Sequence, residues 1–124
     1  MDLQIQTNRI EPGIVIVLLS GTITRYPEPS WNELFIHDLL KQGETKLILD
    51  LTGVERMDSS GLQMMYACYS AAQNVGGELR FVAANSRVTR LFEMTRLDLV
   101  LPFYPTVDAA LQDFWLRHKA QGSP

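Results

Sequence analysis

At 124 residues and 46% hydrophobic composition, the chain has the size and apolar content of one compact domain with a buried core. With 20% charged and 9% aromatic residues, 8 Gly and 6 Pro, it lies outside the disordered, collagenous and low-complexity classes. Lys+Arg number 11 against 14 Asp+Glu, a formal charge of -3 with the wrong sign for a module held to phosphate backbones, so no nucleic-acid partner is expected.

The first residues carry neither a basic n-region nor an apolar h-region, so no signal peptide is expected. The longest apolar run, residues 14–19, falls far short of the roughly 20 residues that cross a bilayer, so no membrane insertion is expected. A single cysteine, Cys68, excludes an internal disulfide framework and a multi-thiolate zinc site, and it fits a cytoplasmic setting.

Leu3, Ile5 and Thr7 alternate with Gln4, Gln6 and Asn8, the period of a strand with one wet face at a sheet edge. Pro12 and Gly13 turn the chain. Residues 14–19 are continuous and rich in Ile and Val, which predicts a central strand buried on both faces and closed by Ser20 and Gly21. Pro27 and Pro29 exclude regular helix before Ser30, where an S-x-x-E box with Glu33 opens a helix that should run to about Gln42 and stop at Gly43. Residues 46–51 form the next strand, followed by a short loop and a helix from about Asp58 to Gly76-Gly77. Residues 78–84 predict another strand, Ser86 caps a helix to about Met94, residues 100–104 form a last strand, and Thr106 opens a helix towards Lys119. Strands alternating with helices after an initial strand pair imply parallel, right-handed crossovers. The expected fold class is α/β, a small mixed sheet with helices packed on it, as one domain over residues 1–120 with a tail at 121–124.

The helix after Asp58 is uneven. From Leu62 to Val75 its strongly polar residues are Gln63, Ser70, Gln73 and Asn74, which lie near one stripe, so it is either buried on more than one side or meets a partner. Met64, Met65, Tyr66 and Tyr69 would suit an adaptable contact surface. Packing on the sheet is the favoured account of them. At the helix start, Asp58 or Ser59 can act as N-cap, and Ser60 with Gln63 fits an S-x-x-Q box, so more than one register is open. Capping alone accounts for these residues. A helix N-terminus also tolerates a phosphate through its unpaired N–H groups and positive dipole end, and a phosphoserine there would change the surface charge by about -1.5 to -2. The neighbouring Asp58 would oppose it.

The run from Leu47 through Asp58-Ser59-Ser60-Gly61-Leu62 resembles the signature of the STAS domain, the fold of bacterial anti-sigma factor antagonists. Gly76-Gly77-Glu78-Leu79, Arg90 to Met94 followed by Leu97, and Ala109-Ala110-Leu111 extend the resemblance over residues 14–114. It implies that the second serine of the motif, Ser60, is the phosphoacceptor, flanked by Asp58, Ser59, Gly61, Leu62 and Met64 on a partner-binding surface. It further implies that an anti-sigma factor serine kinase phosphorylates the chain, that a PP2C-type phosphatase reverses this, and that the unphosphorylated form binds the kinase and frees a sigma factor. No cofactor and no metal site follow from it, and it leaves monomer and homodimer both open. The chain departs from the family pattern in three places. Thr24 stands where an acidic residue near the phosphoacceptor is usual, in the run Gly21-Thr22-Ile23-Thr24; the following Arg25-Tyr26-Pro27-Glu28-Pro29 is also unusual; and Arg96 stands where Gly is common.

Two other readings compete. A STAS-like domain can be a non-switching scaffold subunit of a stressosome-type or lipid-transport complex, with Ser60 only a cap. A small serine hydrolase would need Ser60 with Asp98 or Asp108 and His118; the chain order fits, but there is no G-x-S-x-G elbow. His37 and His118 read as surface residues, Cys68 as an inert core thiol, and Arg87, Arg90 and Arg96 as solvated arginines that could meet an acidic partner.

Overall fold

The computed structural model describes residues 3–11, 13–24, 31–82 and 86–122, with side chains except at 31–35 and 117–122. The Ser30 and Glu33 capping pair and the side chain of His118 therefore lie outside the described residues. Five strands order as β1-β2-β3-β4-β5: β1 (Gln4–Ile10), β2 (Ile14–Ile23), β3 (Lys46–Met57), β4 (Glu78–Val82) and β5 (Phe103–Tyr104). β1 pairs antiparallel with β2 across a turn in which Gly13 takes φ 74°, and every later pairing is parallel. The wet, alternating strand is thus the edge, and the sheet is mixed as expected.

Three helices cross over between parallel neighbours: α1 (Trp31–Lys41), α2 (Ser59–Asn74) and α3 (Ser86–Met94). Successive right-handed crossovers in the same direction place all three on one face. Ile36, Leu39, Met65, Cys68, Val88 and Phe92 pack there against Val15, Val17, Leu47, Leu49, Leu79 and Phe81. The last helix, α4 (Val107–Gly122), covers part of the other face, where Ala110, Leu111 and Phe114 pack on Ile14, Ile16, Ile48 and Val82. The Thr106 hydroxyl accepts the Ala109 N–H at 3.0 Å and opens this helix, which continues past the Lys119 expected. No helix among the described residues is long and apolar enough to cross a membrane.

Three boundaries differ from the sequence reading. β2 does not close at Ser20-Gly21 but continues to Ile23, because register shifts after Leu18 and after Gly21, which takes φ 99°, bend the strand without ending it. β3 does not stop at Leu51 either. Thr52, Gly53, Glu55 and Arg56 are exposed and read as a loop, yet they continue the ladder from Ser20↔Gly53 to Ile23↔Met57. β4 pairs only with residues 46–50, so the far half of β3 has a neighbour on one side and reads as polar. Third, residues 100–104 are not all strand. Leu97–Leu99 form a 3-10 turn after Arg96 at φ 63°, the Leu101 N–H donates back to Leu97, and only Phe103 and Tyr104 join the sheet. Phe103 then packs on Phe81 and Phe92 at ring separations of 5.3 and 4.7 Å.

Candidate partner-binding site

The end of β3 and the start of α2 are fixed to the end of β2. The Asp58 N–H donates to the Ile23 carbonyl at 3.2 Å, immediately beyond the Ile23↔Met57 pair. Asp58 then adopts extended backbone, its Oδ1 accepts the Gly61 N–H at 3.1 Å, and its carbonyl accepts the Leu62 N–H. Asp58 is therefore the N-cap, and the alternative Ser59 and Ser60 registers are not adopted. Ser59 is the first helical residue and is exposed; Ser60 follows it in the first turn and is half-buried. Both serines are thus released from the cap role.

Gly61 is required by close approach. A Cβ there would lie 2.5 Å from Met57 Cγ and 2.8 Å from the Ile23 carbonyl oxygen, inside any real contact distance. The first turn of α2 is wedged between the ends of β2 and β3. Thr24 directly follows Ile23, so the structure brings it alongside the Asp58–Gly61 turn. Arg25 to Pro29, the other unusual part of that loop, lies outside the described residues.

Leu62 and Met64 are only 6% and 7% exposed, and Met65 and Cys68 are fully buried. Their part here is to pack α2 onto the core, so a partner would not touch Met64 across an open surface. Of the four Met and Tyr residues that suited a contact surface, Tyr66 is the exposed one, at 47%. It lines a groove of about 380 Å³ with Ser59, Leu62, Gln63, Thr95 and Leu97, which joins α2 to the turn after α3. Ile23, Met57, Thr95 and Leu97 were missed as site residues, because tertiary approach alone brings them to the motif. α2 ends as predicted at Gly76-Gly77: Gly76 takes φ 74°, its N–H donates to Gln73, and the Gly77 N–H reaches Ala72 at 2.8 Å, a Schellman stop.

Asp108 lies on α4, on the opposite face of the sheet from α2, and Asp98 lies exposed in the 3-10 turn. Among the described residues no group of three or more His, Cys, Asp or Glu could hold a metal ion.

The STAS domain family model matches residues 6–110. A TM1081 homolog from Thermotoga neapolitana is 33% identical over 105 residues, covering 85% of this chain and 93% of that protein. The anti-sigma F factor antagonist of Paenibacillus polymyxa is 28% identical over 113 residues, 91% of this chain and 96% of its own length. Among solved structures, an anti-sigma factor antagonist from Mycobacterium paratuberculosis superposes with a TM-score of 0.80 at 28% identity, over 90% of this chain and 93% of that one.

Proposed function

This chain belongs to the STAS domain family, and on that premise we propose that it is an anti-sigma factor antagonist whose binding is gated by phosphorylation of Ser60. The observation that carries the reading is the assignment of the N-cap to Asp58. With Asp58 satisfying the Gly61 amide, Ser60 sits half-buried in the first turn of a helix whose start is clamped by β2 and β3. A phosphate there meets the positive end of the helix dipole and the carboxylate of Asp58 together, so the fold tolerates it while the surface gains negative charge. Charge and bulk added at Ser60, next in the chain to the Ser59 end of the Tyr66 groove, would exclude a partner that fits the unmodified surface.

In this reading the partner is an anti-sigma factor serine kinase, a PP2C-type phosphatase restores the binding form, and the chain is a cytoplasmic regulator without catalysis of its own. Thr24 replaces a carboxylate, which leaves one fewer negative charge near an incoming phosphate. The test is binding of the purified anti-sigma factor kinase, by calorimetry, to the wild type, Ser60→Ala and Ser60→Asp. The Ala variant should bind like the wild type, and the Asp variant should lose at least about tenfold in affinity, or 1.4 kcal/mol. Equal binding by all three would return Ser60 to a helix-start residue and favour a scaffold role.

A further inference from the structure

The phosphoserine mechanism makes no use of one face of α3. Arg87, Arg90, Leu91 and Met94 recur at the three- and four-residue spacing that aligns side chains on a helix, and with Met57, Ser86 and the exposed Glu93 they line a cleft of about 860 Å³. A different stripe holds α3 to the sheet: Val88 and Phe92 are 0% and 1% exposed. Arg87 and Arg90 are exposed, and neither is ion-paired with a described residue. Met94 stands 73% exposed beside them. Two cations, one carboxylate and an apolar floor therefore share one cleft, which keeps an excess of positive charge on a chain whose net charge is -3.

We propose that this cleft docks an acidic amphipathic helix of a protein partner. Its carboxylates would meet Arg87 and Arg90, and its aliphatic side chains would seat on Leu91, Met94 and the edge of Met57. Charge complementarity selects the sign of the occupant, since the two arginines outnumber Glu93 and the cleft's net charge favours carboxylates placed against Arg87 and Arg90. Geometry selects its form: Arg87 to Met94 spans two turns, about 10 Å, which matches the i, i+3 and i+7 anchors of a helix lying along a groove. Met57 also abuts the first turn of α2 at Gly61, so an occupant of the cleft lies next to the gated surface. The proposal rests on the antagonist reading only in taking the anti-sigma factor as the protein that supplies the helix.

The test is a titration of the isotope-labelled chain, followed by amide chemical shifts, with a synthetic helical peptide carrying Glu and Leu at these spacings and with the same peptide carrying Lys for Glu. Shifts centred on residues 57, 87, 90, 91 and 94 with the acidic peptide alone are expected, and Arg87→Glu with Arg90→Glu should reverse the preference. Shifts elsewhere, or equal response to both peptides, overturn the proposal. Inorganic phosphate producing the same shifts at similar concentration would also overturn it, by making the cleft a small-anion site. Binding of the purified anti-sigma factor is measured alongside. If the acidic peptide docks but the anti-sigma factor does not bind, the cleft stands and the antagonist reading falls. If the factor binds with equal affinity to the wild type and the double variant, the antagonist reading stands and the cleft is not its docking site.

Discussion

Arg96 adopts φ 63°, the one non-glycine residue among those described in the left-handed region. Its neighbours explain the geometry: the Arg96 N–H closes α3 onto Glu93, and its carbonyl receives Leu99 to start the 3-10 turn. A side chain there clashes with its own carbonyl at a cost of about 1 kcal/mol, which glycine avoids. Arg96→Gly should therefore raise stability only slightly, by up to about 0.6 kcal/mol, after the extra freedom glycine gains in the unfolded chain is subtracted, as read from the urea midpoint. Gly61 presents the opposite case. Its backbone is helical, but the space is filled by Met57 and by the Ile23 carbonyl, which the Asp58 amide holds in place. Gly61→Ala forces strand and helix apart and should cost about 1–3 kcal/mol, despite the better helix propensity of alanine. A neutral or stabilising result in the same unfolding experiment would show that the junction can yield.

At the scale of the element, α4 is held to β4 by charge as well as by apolar contact. Arg80 is 4% exposed; its Nε donates to Asp113 Oδ2 at 2.7 Å, its Nη2 pairs with the same oxygen at 2.7 Å, and the Tyr104 hydroxyl also donates there. Its guanidinium lies 3.7 Å from the centre of the Phe114 ring. Burial alone would lower the Arg80 pKa, but the hydrogen bonds and charges of Tyr104 and Asp113 outweigh it, and Arg80 stays protonated. Asp113→Asn leaves that cation with Glu78 as its remaining counter-charge, at 3.3 Å. The expected loss is roughly 2–4 kcal/mol, below that of a fully buried pair because Asp113 is 28% exposed and partly screened. Burial, and then the hydrogen bond to Asp113, raise the Tyr104 pKa above its ordinary value. The protonated phenol is thus favoured in the folded state, so this stabilisation is complete below the free-tyrosine pKa of about 10 and is lost as pH rises through the higher folded value. Alkaline unfolding of Tyr104→Phe should lack that component. Arg80 sits between Leu79 and Phe81 in what reads as an ordinary strand, so nothing in the local pattern marked it as a buried cation; its partners lie 24 and 33 residues away. The same reason hid the far half of β3. Runs of Ile, Val and Leu at 14–19 and 46–51 are legible because burial on both faces needs them, whereas a strand paired on one side has the polarity of a loop.

Across the whole molecule, the sheet separates a face carrying α1, α2 and α3 from a face carrying α4, and the motif from Asp58 to Leu62 belongs to the first. That motif was legible because a capping aspartate, two serines, a glycine and a leucine follow one another from Asp58 to Leu62 at a helix start after a strand. Its surroundings were not, because the Ile23 carbonyl and the wall formed by Thr95 and Leu97 arrive from distant parts of the chain. The layout also bounds what a charge at Ser60 can do. The next turns of the same helix bury Met65 and Cys68 at 0% exposure, and interiors packed to this density repack discretely and do not yield gradually. Dipole attraction for a new negative charge is worth about 0.3–1 kcal/mol, and the Asp58 carboxylate opposes it by a similar amount, so the net change in stability should be below about 1 kcal/mol. Ser60→Asp should then melt within about 5 °C of the wild type. Its amide shifts should be confined to Thr24, residues 57–63 and the Tyr66 groove, with β1 and α4 unmoved. Shifts that reach α4 would mean that the charge is transmitted through the sheet, and the gate would then be a conformational change instead of an altered surface.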